Sequence, residues 1–175
     1  MTRGQNLARQ ILGDDFIAPE EVVRAKQITY TLKQLQRFAK TMPAAKVLQW
    51  LKQHNYMLLP GKVGDDSKVK WLALRKDGVP DSRFKTYKEQ GRLLSFKEYV
   101  PSMGEVIWGI GTYFDVRGIR LMNEGYCVRT SSNPDGQPAT HVRVGPYLES
   151  GMDVNYCPDD YKEHGFVLLA AARKL

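Results

Sequence analysis

The stretch Ser102-Met103-Gly104-Glu105-Val106-Ile107-Trp108-Gly109-Ile110-Gly111-Thr112-Tyr113-Phe114 decides the fold class. Ser102-x-x-Glu105 has the form of an N-terminal capping box. Behind it, Val106, Ile107, Ile110, Tyr113 and Phe114 fall on one helical face. The spacing predicts a core helix over residues 103–115, ended near Gly118. Beyond Gly118 the apolar period drops to two. Strands are expected at 119–122, 125–131, 140–145, 151–156 and 165–172. Asn133-Pro134-Asp135-Gly136 and Cys157-Pro158-Asp159-Asp160 separate them with turn compositions.

Upstream, helical signals dominate. Met1 to Gly13 reads as a frayed or docking terminus. Pro19 suits a first helical position, and Glu20 and Glu21 suit the positive end of the helix dipole. Val23, Ile28, Leu32, Leu35 and Phe38 then recur near helical spacing, so one amphipathic helix of about five turns is expected. A second helix is expected from Ala44 to His54. Tyr56–Pro60 and Val69–Arg75 read as short strands, with Val69, Trp71 and Ala73 on one face, and 88–94 as a short helix. Helices first, then one helix with several antiparallel strands, make the expected class α+β. The expected division is a helical N-terminal segment, 1–55, and a second domain, 56–175.

The chain has 175 residues, enough to bury a sizeable core without staples. Its formal net charge is +7, unevenly spread: residues 1–100 hold 19 basic and 10 acidic side chains, whereas 101–175 hold 7 and 9. Such a split implies two faces with different tasks. Only Cys127 and Cys157 occur, too few for a secreted disulfide scaffold, and they are expected as reduced, partly buried thiols. His54, His141 and His164 make no metal-ligand pattern, and no cofactor is expected. No apolar run approaches the roughly 20 residues of a membrane span. The first residues lack an apolar signal core, so a cytoplasmic start, or assembly into a virion, is expected.

Most chemical candidates have plain readings. Gly109-x-Gly111 lies inside a helix and so is not a dinucleotide loop; glycine there permits close packing. Asp159-Asp160 lack calcium-loop spacing and read as loop carboxylates or an interaction surface. A nucleophilic Cys157 needs a basic neighbour, and its sequence neighbours are acidic. Lys68, Lys70, Trp71, Arg75, Lys76, Arg83, Phe84, Lys85, Tyr87, Lys88 and Arg92 interleave cations with aromatics. That pattern suits a solvated face, an acidic partner subunit, or a nucleic-acid backbone with stacked bases.

The segment Gly145 to Tyr161 is the most informative. Met152, Val154 and Tyr156 alternate with Asp153, Asn155 and Cys157. The first set is expected to face a core and the second solvent. Tyr, Asn and Asp together have the composition of a binding surface, or of a plain polar sheet edge.

The order of features from Val100-Pro101-Ser102 onward resembles a known family. A core helix leads to Gly118–Leu121, then Tyr126-Cys127-Val128-Arg129-Thr130-Ser131-Ser132, Val142-Arg143-Val144-Gly145, a Tyr/Asn/Asp-rich stretch, and an apolar ending before Ala172-Arg173-Lys174-Leu175. This resembles the C-type-lectin-like domain of variable proteins of diversity-generating retroelements, over residues 69–175. Such systems copy a template into the end of a target gene with errors at adenines. The resemblance implies a lectin-like fold for residues 56–175 and a C-terminal surface diversified for ligand binding, without catalysis. It implies that Arg143, Tyr147, Asn155, Tyr156, Cys157, Asp159, Asp160, Tyr161 and His164 contact ligand. Lys162 and Glu163 would be fixed scaffold positions. The partner would be a variable protein or a surface ligand, with the basic N-terminal region docking an accessory subunit or a second copy. The alternative is a nucleic-acid-binding protein using the Lys/Arg-rich face of residues 1–100.

Overall fold

A computed structural model describes residues 1–61, 69–122, 125–162 and 167–175. Among them the chain is mixed α+β, with six α-helices and two small sheets. It clusters into two compact units. The first comprises Met1–Leu74, Trp108–Ile119 and Leu175, and the second Arg75–Ile107 and Arg120–Lys174. The first unit therefore extends past the expected boundary at residue 55 and takes in strand and helix from the later sequence.

In the first unit the N-terminus is helical rather than frayed: α1 spans Arg3–Leu12. Its start is a capping box, with Thr2 Oγ1 accepting from Gln5 N at 3.3 Å and Gln5 Oε1 from Thr2 N at 2.6 Å. Ala8 and Leu12 bury its inner face. The expected five-turn helix is two helices, α2 (Pro19–Lys26) and α3 (Leu32–Lys40). Gln27 ends α2 in a left-handed conformation, φ 53°. Thr31 and Gln34 form a new capping box that starts α3. Leu32, placed on the apolar face by spacing, is 72% exposed for this reason. Helix α4 (Ala45–Gln53) and strands β1 (Tyr56–Pro60) and β2 (Trp71–Arg75) lie close to expectation. In β2, however, Trp71 to Leu74 are all buried, so both faces are covered and no alternation of exposure results.

Aromatic packing fills this unit. Trp71 sits 5.0 Å from the Phe38 ring and 5.6 Å from Phe16, and its indole N–H donates to Phe38 O at 2.9 Å. The core helix, α6 (Met103–Arg117), runs close to its expected span. Ser102 Oγ accepts from Glu105 N at 3.2 Å, and Glu105 Oε2 accepts from Ser102 N at 3.0 Å. A Cβ on Gly109 would come 2.5 Å from Leu74 Cδ2, so glycine there does permit close packing. At the end of α6, Arg117 donates to Glu21 Oε1 at 2.7 Å and to Phe16 O at 2.8 Å.

The second unit holds α5 (Tyr87–Gly91), the antiparallel pair β3 (Glu98–Tyr99) with β8 (Ala172–Arg173), and a four-stranded sheet. That sheet comprises β4 (Cys127–Arg129), β5 (Thr140–Leu148), β6 (Gly151–Pro158) and β7 (Val167–Leu169). Its order is β6-β5-β4-β7, with β4 and β7 parallel and the other pairs antiparallel. Residues 119–122, expected as a strand, form none: 119–120 have no regular structure and 121–122 turn, with Met122 at a left-handed φ of 59°. The strand expected at 165–172 is the two short strands β7 and β8, its first two residues lying outside the described ones. The Asn133–Gly136 turn is closed by Gln137 N on Pro134 O at 3.1 Å.

Candidate functional site

The β5–β6 hairpin carries the site. Register places Arg129, Arg143 and Asn155 side by side across β4, β5 and β6, and His141 opposite Cys157. Cross-strand partners share a face, so Cys127, Arg129, His141, Arg143, Asn155 and Cys157 occupy one side of the sheet. Val128, Val142, Val144, Val154 and Tyr156 occupy the other.

The polar side is built around a buried guanidinium. Arg129 is 0% exposed. Its Nε and Nη2 donate to Cys157 Sγ at 3.1 and 2.8 Å. Nη2 also donates to Pro158 O and Tyr161 O at 2.9 and 2.8 Å, and Nη1 to Gln90 Oε1 at 3.2 Å and Lys85 O at 3.3 Å. One side chain thus ties β4 to the end of β6, to the turn beyond it and to α5. A buried charge needs such partners, because a loss of hydration without replacement costs several kcal/mol.

Beside it, His141 Nδ1 lies 2.6 Å from Asp159 Oδ1, and the Tyr87 ring stacks on the imidazole with centroids 3.6 Å apart. Burial first, then the Asp159 carboxylate, push the Tyr87 hydroxyl above its ordinary range. Burial likewise pushes the Cys127 thiol up to about 11, although Arg143 opposes the shift. Lys162 Nζ reaches Glu89 Oε1 at 3.1 Å.

The sequence-predicted residues divide between buried support and open surface. Asn155 and Tyr156 lie exposed on β6, and Asp160 lies exposed in the turn after it. Arg143 and Tyr147 are half-buried on β5. Asp159 is half-buried against His141, and Tyr161 packs on the cluster of Cys127, Cys157 and Val167. His164 lies outside the described residues. Two expectations are corrected. Cys157 does not face solvent: it is 1% exposed, covered by Arg129 and the 158–161 turn. Val154 and Tyr156 do not face a core: they are 43% and 56% exposed, because β6 is an edge strand whose outer face nothing covers among the described residues. Both cysteines are unbridged and buried.

Gln90 is absent from the sequence reading, and Arg129 and Tyr87 enter it only within the Tyr126–Ser132 stretch and among the interleaved aromatics, not as parts of this network. The pattern does contain a signal: within Cys127-Val128-Arg129, Arg129 shares the parity of a buried cysteine. Cys157 also has the basic neighbour that its sequence neighbours lack. At 1% exposure that thiol has no route to a substrate in this arrangement, and it serves as an acceptor. Among the described residues, no group of three or more His, Cys, Asp or Glu side chains is placed to hold a metal ion. Nor, among them, is any helix long and apolar enough to cross a membrane.

Of the aromatics interleaved with cations, Trp71 is buried and Tyr87 is stacked on His141, whereas Phe84 is 63% exposed. Lys68 lies outside the described residues. No family model matches the chain, and no curated protein or solved structure matches it either.

Proposed function

We propose that this protein binds a ligand through the β5–β6 hairpin, without chemistry of its own. The observation that carries the reading is the exposure of β6 from Asp153 to Tyr156 on both faces of an edge strand. Val154 and Tyr156 offer apolar and aromatic contact, and Asp153 and Asn155 offer hydrogen bonds. Such a mixture suits recognition, with Tyr as a rigid amphipathic anchor. The Arg129 network beneath supplies a fixed base.

In its finer form the proposal is a C-type-lectin-like variable protein of a diversity-generating retroelement. Asn155, Tyr156 and Asp160 are then varied contacts, Arg143 and Tyr147 flank them, and the exposed Lys33, Arg37 and Lys40 of α3 form a docking side for an acidic partner. Cys157, Asp159 and Tyr161 sit in or against the buried network, which makes them poorer positions for variation.

The test is genomic and biochemical together. DNA around the gene should contain a second, near-identical copy of the segment encoding 141–164, differing only at adenines, beside a reverse transcriptase. Replacing Asp153, Val154, Asn155, Tyr156 and Asp160 together should leave the melting temperature nearly unchanged. Collapse of folding in that variant would remove the recognition reading, and absence of the second copy would remove the retroelement.

A further inference from the structure

A second feature of the same unit lies away from the hairpin surface. The loop 77–86 walls an open cleft of about 620 Å³, a size within the range of small-ligand clefts. Arg83, Phe84, Lys85 and Tyr126 line it, together with Asp77 and Asp81.

The loop is unusual in its backbone. Asp81 and Phe84 take φ values of 59° and 57°. Residues with a Cβ rarely adopt the left-handed region, and it costs on the order of the energy of one hydrogen bond to hold each there. The consequence is visible at Phe84, whose ring stands 63% exposed when phenylalanine ordinarily buries itself.

The loop is also anchored. Val79 N donates to Leu169 O at 2.9 Å. Ser82, fully buried, donates from Oγ to Val79 O at 2.6 Å and accepts from Leu169 N at 3.1 Å. Gln90 Nε2 holds Ser82 O at 2.7 Å. Gly78 lies so close to β7 that a Cβ would meet Leu168 Cβ at 2.3 Å. The exposed ring therefore stands on a fixed base, and little ordering cost remains for a ligand.

Charge selects the ligand class. Asp77 is paired with Arg75, Nε to Oδ1 at 2.8 Å. Arg83 and Lys85 thus face one remaining carboxylate, Asp81, and the balance around the ring is positive. We propose that this cleft binds a nucleotide unit, with the base stacked on Phe84 and the phosphate held by Arg83 and Lys85. Base stacking on an aromatic ring and phosphate attraction to flanking cations are the two terms of single-strand binding. A free nucleotide and one unit of a single strand share this chemistry. The site is independent of the proposed role of the hairpin.

The experiment uses the full chain at low salt. AMP and inorganic phosphate are titrated by calorimetry, and a fluorescent ten-residue oligothymidylate by anisotropy. AMP and the oligonucleotide should compete for one site. Phe84→Ala should weaken both about tenfold or more, while Phe84→Tyr, which keeps the ring, should preserve binding. Phe84→Gly suits the left-handed backbone and should behave like Phe84→Ala with an unchanged melting temperature. Replacing Arg83 and Lys85 by Gln should reduce the salt dependence of oligonucleotide binding. Oligonucleotide affinity well above that of AMP would identify single strands as the source, and similar affinities a free nucleotide. The proposal is overturned if neither probe binds, if phosphate binds as well as AMP, or if binding survives loss of the Phe84 ring.

Discussion

Arg129 on β4 donates two hydrogen bonds to the sulfur of Cys157 on β6, from Nε at 3.1 Å and Nη2 at 2.8 Å, across the intervening strand β5. The same guanidinium holds the carbonyls of Pro158 and Tyr161. The end of the hairpin is therefore fixed from inside, and the exposed part of β6 is free of that duty.

This arrangement predicts that Arg129→Met destabilises the fold by about 3 kcal/mol or more, since it strands several buried acceptors at once. Cys157→Ala should cost about 1–3 kcal/mol, because it leaves two N–H groups without their sulfur. The double variant should cost less than the sum of the two, as members of one network do. Denaturant unfolding of the three variants measures this. An Arg129→Met protein within about 0.5 kcal/mol of the parent would show that the network supports nothing.

How much of this was legible follows from where each signal resides. Helix α6 was readable because its capping box and its apolar face lie within a few turns of chain. The starts of α1 and α3 carry the same kind of signature, Thr2-x-x-Gln5 and Thr31-x-x-Gln34, which marks the real boundaries better than apolar spacing does. The break at Gln27 was hidden because no glycine announces its left-handed turn. On β6, alternation implies one buried face, but it cannot tell that the strand lies at an edge. The burial of Cys157 depends on Arg129, distant in sequence, and on a turn that folds back over it.

Substitutions on the open part of the hairpin should be nearly silent for stability. Asn155→Ser and Tyr156→Ser remove exposed side chains, and each should change the unfolding free energy by no more than about 0.5 kcal/mol. The same changes should weaken any ligand that the hairpin holds. A loss of about 2 kcal/mol or more from either variant would mean that these side chains support the fold.

Gly78→Ala tests the anchoring of loop 77–86. A Cβ there would lie 2.3 Å from Leu168 Cβ and 2.9 Å from Leu168 Cγ, and a Cβ cannot swing aside as the tip of a side chain can. The loop or β7 must shift, at about 1–3 kcal/mol, a usual range for overpacking. Calorimetric melting of Gly78→Ala beside Gly91→Ala, where a Cβ meets nothing within 4 Å, separates crowding from the general effect of removing a glycine.

The first turn of α5 predicts a pH dependence. Thr86 N donates to Glu89 Oε2 at 2.8 Å and the Thr86 hydroxyl at 2.9 Å, while Lys162 reaches the other oxygen. The Thr86 hydrogen bonds first, then Lys162, hold the Glu89 carboxyl down at about 2, against an ordinary 4.5. A carboxyl whose folded pKa is depressed adds stability above the unfolded value, and that stability is lost as the pH falls through the folded one. The advantage of the parent over Glu89→Gln should therefore be constant above about pH 4.5 and shrink between pH 4.5 and 2. Added salt should reduce the part due to Lys162, an exposed pair, and leave the capping bonds. Melting temperatures of both proteins across that range decide it. A gap that stays constant down to pH 2 would mean that the Glu89 charge adds nothing to the cap.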